Sequence, residues 1–123
     1  MRILVVDDNP DILESLALVL QSAGHEARTA IDSRVALRMH AERPADLLIT
    51  DIFMPGADGF ETIAAFRERS PGLKIIAMSG GGRVARRDYL GIAKEVGADA
   101  MMRKPFDPAD LLRTLDEMSA DAA

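Results

Sequence analysis

The chain has 123 residues, a length that suits one domain with its own hydrophobic core. Hydrophobic residues make up 48% of the chain and charged residues 28%, a balance typical of a soluble globular protein. The net charge of −5 argues against direct nucleic-acid binding, and the lack of cysteine excludes disulfides and thiolate metal sites. No apolar run approaches the length of about 20 residues that spans a membrane, and no signal-peptide pattern is present, so we expect no membrane insertion and a cytoplasmic location.

The first two elements set the pattern for the rest of the chain. Ile3–Val6 is a short apolar run of the kind that forms a buried strand. The helix that follows has Asn9 as its predicted N-cap and Pro10 at its first position, and Gly24 ends it. Its apolar residues recur at three- and four-residue steps, so one face of the helix is predicted to lie against the core.

The same alternation of strand and helix continues to the end of the chain. The remaining predicted elements are, in chain order, a weaker strand at His25–Ala30, a helix around Val35 and Met39, a strand at Leu47–Ile49, a helix from Asp58-Gly59, a strand at Leu73–Met78, a helix over Val84–Val96, a weaker strand at Ala100–Met102 and a helix over Pro108–Met118 capped by Asp107. Five such repeats predict an α/β fold, a doubly wound parallel sheet of five strands with five helices. We expect one domain over residues 1–119 and a frayed tail at 120–123.

Reactive side chains follow the predicted strands at their carboxyl ends. Asp7-Asp8 follow the first strand, Asp51 the third and Ser79 the fourth, and Lys104 lies just beyond the fifth. Ligands of open parallel sheets bind beyond the carboxyl ends of the strands. The pattern suits the strand order 2-1-3-4-5, in which the first and third strands are central neighbours and bring the acids together.

The clustered acids point to a hard cation and a phosphoryl group. Two like charges about 4 Å apart repel by about 4 kcal/mol at an effective dielectric constant of about 20, and a divalent cation relieves that repulsion. Mg²⁺ accepts a few carboxylates and a phosphate oxygen together. Asp51 can then attack phosphorus, Lys104 can neutralise the charge that develops, and Ser79 can donate a hydrogen bond.

These residues also resemble a known family. On Asp7-Asp8, on the run from Asp51 to Gly59, on Ser79 and on Lys104-Pro105-Phe106, the chain is similar to the receiver domains of response regulators in two-component signalling. The resemblance covers essentially the whole chain, and it implies a flavodoxin-like fold. It also implies a cis peptide bond before Pro105.

The resemblance assigns a role to each candidate residue. It implies that Asp51 is the phosphoacceptor, that Lys104 and Ser79 contact the bound phosphoryl group, and that Mg²⁺ is held by a set of four residues: Asp7, Asp8, Asp51 and, through its carbonyl, Phe53. The implied phosphodonor is a sensor histidine kinase or a phosphotransfer protein. The implied output is a change in binding to a downstream protein, and the only chemistry is self-phosphotransfer and autodephosphorylation, so we do not expect an enzyme.

Other interpretations stay open at this point. The chain could act as a stand-alone regulator, which we favour, or be a fragment of a larger response regulator or hybrid kinase. An aspartyl-nucleophile phosphatase is a weaker alternative, because such enzymes need a second acid two residues after the nucleophile, where this chain has Phe53. A receiver that signals without phosphate is another, and the intact acids and Lys104 argue against it.

The sequence departs from the family pattern in two places. Met101 stands where the family usually has an aromatic residue, and Ser79 is followed by Gly80–Gly82 in a segment that is longer than usual. These departures predict an atypical output surface.

Overall fold

A computed structural model describes residues 1–54, 57–80 and 97–122. Its elements are β1 (Arg2–Val6), α1 (Pro10–Ser22), β2 (Glu26–Ala30), α2 (Ser33–Glu42), β3 (Leu47–Asp51), β4 (Phe53–Met54), β5 (Ala57–Asp58), α3 (Gly59–Arg69), β6 (Lys74–Gly80), β7 (Ala100–Lys104) and α4 (Pro108–Ala122). Five parallel strands form one sheet in the order β2-β1-β3-β6-β7, which confirms the predicted α/β fold and the order 2-1-3-4-5.

Some predicted features fall outside the described residues. They are the helix predicted over 84–96 and the glycines at 81 and 82, so the structure describes four of the five expected helices. In the part of the chain that is described, no helix is both long enough and apolar enough to span a membrane.

The core consists of two layers, one on each face of the sheet. Alternate residues of the central strands, such as Ile3 and Val5, pack against α1 and α4. Their neighbours, such as Leu4 and Val6, pack against α2 and α3. Because side chains alternate along a strand, the positions that continue the first set are Asp7, Asp51 and Lys104. The alternation that builds the core therefore also places three site residues on one face of the sheet.

Capping side chains determine where the helices begin. Asn9 Oδ1 accepts a hydrogen bond from the Asp11 N–H at 2.9 Å, which confirms Asn9 as the N-cap of α1. Asp107 Oδ1 accepts from the Ala109 N–H at 2.9 Å and caps α4, also as predicted. Asp32 caps α2 by accepting from the Val35 N–H at 2.8 Å.

Several predicted boundaries differ from the structure, including the end of β3, which lies at Asp51 where Ile49 was predicted. β6 and β7 run on to Gly80 and Lys104, past the ends of their apolar runs, because Gly80 and Lys104 still pair across the two strands. The backbone of α4 continues to Ala122, so it is helical over 120–122, where we expected a frayed tail. Alanine has the highest helix propensity, and the segment contains no glycine or proline to stop the helix.

Candidate functional site

Three aspartates converge where β1 and β3 end. The strands are parallel neighbours with Val6 opposite Thr50, so the next residue of each, Asp7 and Asp51, also lie side by side. Asp7 and Asp51 are buried, whereas Asp8 is exposed. Carboxylate oxygens of all three lie within 4.8 Å of one another. The structure thus brings together the three acids that the sequence predicted to meet.

Lys104 contacts two of these acids from the end of β7. Its Nζ lies 2.6 Å from Asp7 Oδ2 and 2.8 Å from Asp51 Oδ2. The peptide bond that joins Lys104 to Pro105 is cis, as predicted. Burial alone would lower the pKa of Lys104, but hydrogen bonds and charge attraction from Asp51 and Asp7 outweigh burial and raise the pKa above its ordinary value. Lys104 therefore stays protonated and carries its positive charge into the acidic cluster.

Ser79 and Phe53 lie near the same edge of the sheet. Ser79 is fully buried in β6 and follows Met78, the residue that pairs with Asp51. Phe53 begins β4, two residues after Asp51, and its backbone pairs with that of Asp58 in a short antiparallel ladder. Two-residue strands have no periodic signal, so the sequence could not predict this ladder.

Met101 lies one strand further out than Ser79. It is partly buried and packs against the core cluster on the α2 and α3 side, opposite Ala77 of β6. Gly80 ends β6, and the rest of the glycine run lies outside the described residues. The predicted atypical output surface stays a prediction.

The acidic cluster has the chemistry of a cation site. Its ligand atoms are carboxylate oxygens, which are the ligands that hard cations such as Mg²⁺ and Ca²⁺ prefer. Two of the three acids are buried, where like charges repel more strongly than they do in water, and Lys104 supplies one positive charge against three carboxylates. The residues present therefore fit a hard divalent cation, with Lys104 as a fixed positive charge beside it.

Comparison with known proteins agrees with this geometry. The family described as "Response regulator receiver domain" matches residues 3–116. The chain is a response regulator receiver domain. This match confirms the resemblance drawn from the motifs, and it favours the receiver over the aspartyl-nucleophile phosphatase.

Individual relatives of this receiver domain differ in length. The transcriptional regulatory protein PrrA of Mycobacterium tuberculosis is 38% identical over 111 residues, which are 90% of this chain and 46% of PrrA. An uncharacterized 14.6 kDa protein of Leptolyngbya boryana is 34% identical over 95% of this chain and 88% of its own length. The crystallised chemotaxis protein CheY4 of Vibrio cholerae is 34% identical, with a TM-score of 0.83, over 94% of this chain and 96% of its own. The receiver domain thus spans about half the length of PrrA and nearly all of CheY4.

Proposed function

We propose that this receiver domain accepts a phosphoryl group on Asp51, with Mg²⁺ held by the carboxylates of Asp7, Asp8 and Asp51 and by the carbonyl of Phe53. The observation that carries the proposal is the contact of the Lys104 ammonium with both Asp7 and Asp51, inside a cluster of three carboxylates. A cation held beside a nucleophilic carboxylate can stabilise the charge on a phosphoryl group that is transferred to that carboxylate.

The transfer step follows from the positions of these side chains. A carboxylate oxygen of Asp51 attacks the phosphorus of a phosphohistidine, so that an O–P bond forms and the P–N bond breaks. The electron pair of the P–N bond stays on the imidazole of the donor, which leaves as a neutral ring after it takes up a proton. Lys104 neutralises charge on the phosphoryl oxygens, and the Ser79 hydroxyl donates a hydrogen bond to one of them. Bound Mg²⁺ supplies further neutralisation of that charge.

Membership of the receiver family supports the donor and the output that we propose. We propose a sensor histidine kinase or a phosphotransfer protein as the phosphodonor and a downstream protein as the target. Phosphorylation adds a charge of about −1.5 to −2, which rearranges nearby loops and changes the surface that a partner binds. The domain has no other catalytic activity in this proposal, and it acts in the cytoplasm.

The net charge of −5 favours contacts with proteins over direct contacts with nucleic acid. Relatives exist both as longer proteins and as chains of this length: PrrA is about twice as long as this chain, and CheY4 has a similar length. We retain the stand-alone regulator as the proposal, with a domain of a larger regulator or hybrid kinase as the alternative.

Intact-mass spectrometry after incubation with acetyl phosphate tests the proposal. We expect the wild-type protein to gain one phosphoryl group in the presence of Mg²⁺ and none after chelation. Asp51→Asn keeps the shape of the side chain but removes the nucleophilic carboxylate, so this variant should gain nothing.

Two controls make the result decisive. Asp46→Asn removes a carboxylate at the opposite end of β3, where it accepts a hydrogen bond from the Arg2 amide, and this variant should be phosphorylated like the wild type. Phosphoramidate serves as a second donor, because it has the P–N bond that phosphohistidine has. A wild-type protein that binds Mg²⁺ yet accepts phosphate from neither donor would contradict the proposal and favour a receiver that signals without phosphate.

A further inference from the structure

Asn9 makes hydrogen bonds in two directions along the chain. Its side-chain Oδ1 accepts from the Asp11 N–H at 2.9 Å and so caps α1. Its own backbone N–H donates to Asp7 Oδ1, also at 2.9 Å. The helix cap and the buried acid are therefore joined through one residue.

Asp7 is held from three sides. Its backbone N–H donates to the carbonyl of Ala30 in β2 at 3.1 Å. One carboxylate oxygen accepts from the Asn9 amide, and the other lies 2.6 Å from Lys104 Nζ. Asp7 is fully buried, so water does not replace a partner that it loses. Loss of the Asn9 contact would therefore leave a buried carboxylate oxygen of Asp7 without its amide donor.

We propose that Asn9 is a positioning residue of the phosphoacceptor site: its cap on α1 fixes the amide that aims the Asp7 carboxylate at Lys104 and at the bound cation. This inference rests on the proposed function. Groups that orient a metal ligand from outside its coordination shell commonly change the affinity for the metal when they are removed. Asn9 acts on the cation through Asp7 and does not need to touch it.

The fold supplies a matched control for the loss of a cap. Asp32 caps α2 by the same kind of bond, at 2.8 Å to the Val35 N–H, and it follows β2 at the edge of the sheet. Removing either cap should lower helix stability to a similar degree. In the part of the chain that the structure describes, the Asn9 amide, and not the Asp32 amide, is bonded to an acid of the cluster.

The experiment compares the wild type with Asn9→Ala, Asn9→Ser and Asp32→Ala. Mn²⁺, a hard oxygen-seeking cation that electron paramagnetic resonance detects, is the probe for the site, and urea unfolding measures stability. We expect Asn9→Ala to weaken Mn²⁺ binding about tenfold. Asn9→Ser keeps a capping oxygen and should bind like the wild type, and Asp32→Ala should also bind like the wild type while it loses stability.

A second measurement needs no metal. The NMR signal of the Lys104 side-chain ammonium in the metal-free protein reports its contact with Asp7. We expect that signal to shift in Asn9→Ala and to stay in place in Asn9→Ser and Asp32→Ala. If Asn9→Ala does not fold, Asn9→Gly takes its place, because glycine is tolerated at this position but has no capping oxygen.

The outcomes separate this inference from the proposed function. Wild-type affinity together with an unshifted Lys104 signal in Asn9→Ala would overturn the inference and leave Asn9 as a helix cap alone. A wild-type protein that accepts no phosphate contradicts the proposed function, whereas the metal-free Lys104 signal still decides whether Asn9 positions Asp7.

Discussion

Lys104 Nζ lies 2.8 Å from Asp51 Oδ2, although the two residues are 53 positions apart in the chain. Lys104 ends β7 at the edge of the sheet, and β6 lies between β7 and β3. The distance from β7 to β3 is two inter-strand spacings, about 9.5 Å, so a short side chain at position 104 could not reach Asp51. The long and flexible lysine stem brings the charge across β6 to the acid.

Removing the positive charge of Lys104 should slow the phosphorylation of Asp51. Lys104→Met keeps most of the stem and removes the ammonium group. We expect phosphorylation by acetyl phosphate to slow about 100-fold, the usual effect of losing one group that stabilises the transition state. Quenched time points analysed by intact mass measure the rate. A rate within twofold of wild type would contradict the role proposed for Lys104.

Lys104 should also make stability depend on alkaline pH. Its pKa is raised in the folded protein above the ordinary 10.5, so the unfolded chain loses this proton first as the pH rises. The stabilising contribution is complete below the ordinary pKa and disappears as the pH passes through the raised value. Urea midpoints from about pH 9 to about pH 12 should fall more for the wild type than for Lys104→Met. Parallel curves for the two proteins would argue against a raised pKa.

His40 should make stability depend on acid pH, with the opposite sign. It is buried, its Nδ1 accepts from the Ala45 N–H at 3.0 Å, and its Nε2 lies 2.8 Å from Ser70 Oγ. Because a backbone N–H can only donate, the neutral ring carries its proton on Nε2 and donates to Ser70. Burial first, and then the charges of Arg28 and Arg69, lower the pKa of His40 below 6.5.

The contribution of the neutral His40 ring to the free energy of unfolding is therefore complete above about pH 6.5. It is lost as the pH falls through the lowered pKa of His40. NMR titration of the His40 ring should give a midpoint below 6.5, and the protection of the Ala45 amide against hydrogen exchange, relative to an unfolded chain at the same pH, should fall over the same range. A midpoint at or above the ordinary value would show that the ring is hydrated and that its bond to Ala45 is not maintained.

Arg67 should contribute to stability without affecting the site. Its Nε and Nη2 donate to the Gly97 carbonyl at 2.9 and 2.7 Å, and its Nη1 donates to the carbonyls of Pro71 and Leu73. Its Nη2 also lies 2.8 Å from Asp99 Oδ2, an oxygen that accepts from the backbone of β6. We expect Arg67→Met to lower the free energy of unfolding by about 2–3 kcal/mol, because several hydrogen bonds to a charged group are lost.

Arg113 is the matched control for Arg67. It pairs with Asp110 on the exposed surface of α4, where an ion pair contributes about 0.5 kcal/mol or less. Arg113→Met should therefore unfold close to the wild-type midpoint in urea, and both arginine variants should bind Mg²⁺ as the wild type does. Equal stability losses in the two variants would show that the carbonyl contacts of Arg67 contribute little.

The residues at the strand ends allowed much of the site to be predicted from the sequence. Asp7 and Asp51 each follow a buried apolar run, and the carboxyl ends of two parallel neighbouring strands lie side by side. Lys104 could be placed with them because its strand has to add to the same sheet. These predictions depend on periodicity and chain direction, which are local properties of the sequence.

The features that the sequence could not supply depend on contacts between distant residues or on backbone geometry. The Asn9 amide that binds Asp7 has no residue signature, because every residue except proline carries an N–H. Ser70, which follows α3 and bonds to His40, comes close to it only after α2 and α3 have packed on the sheet. The continuation of α4 to Ala122 follows from helix propensity, which is too weak a signal to locate the end of a helix.

The position of the phosphoryl group can be identified chemically. Borohydride reduces an acyl phosphate to an alcohol, so a phosphorylated aspartate becomes homoserine, and peptide mass spectrometry identifies its position. With a phosphodonor and Mg²⁺ present, we expect homoserine at position 51 alone, and none without Mg²⁺ or in Asp51→Asn. Homoserine at position 7 or 8, or a phosphorylated protein that contains no homoserine, would contradict the assignment of Asp51.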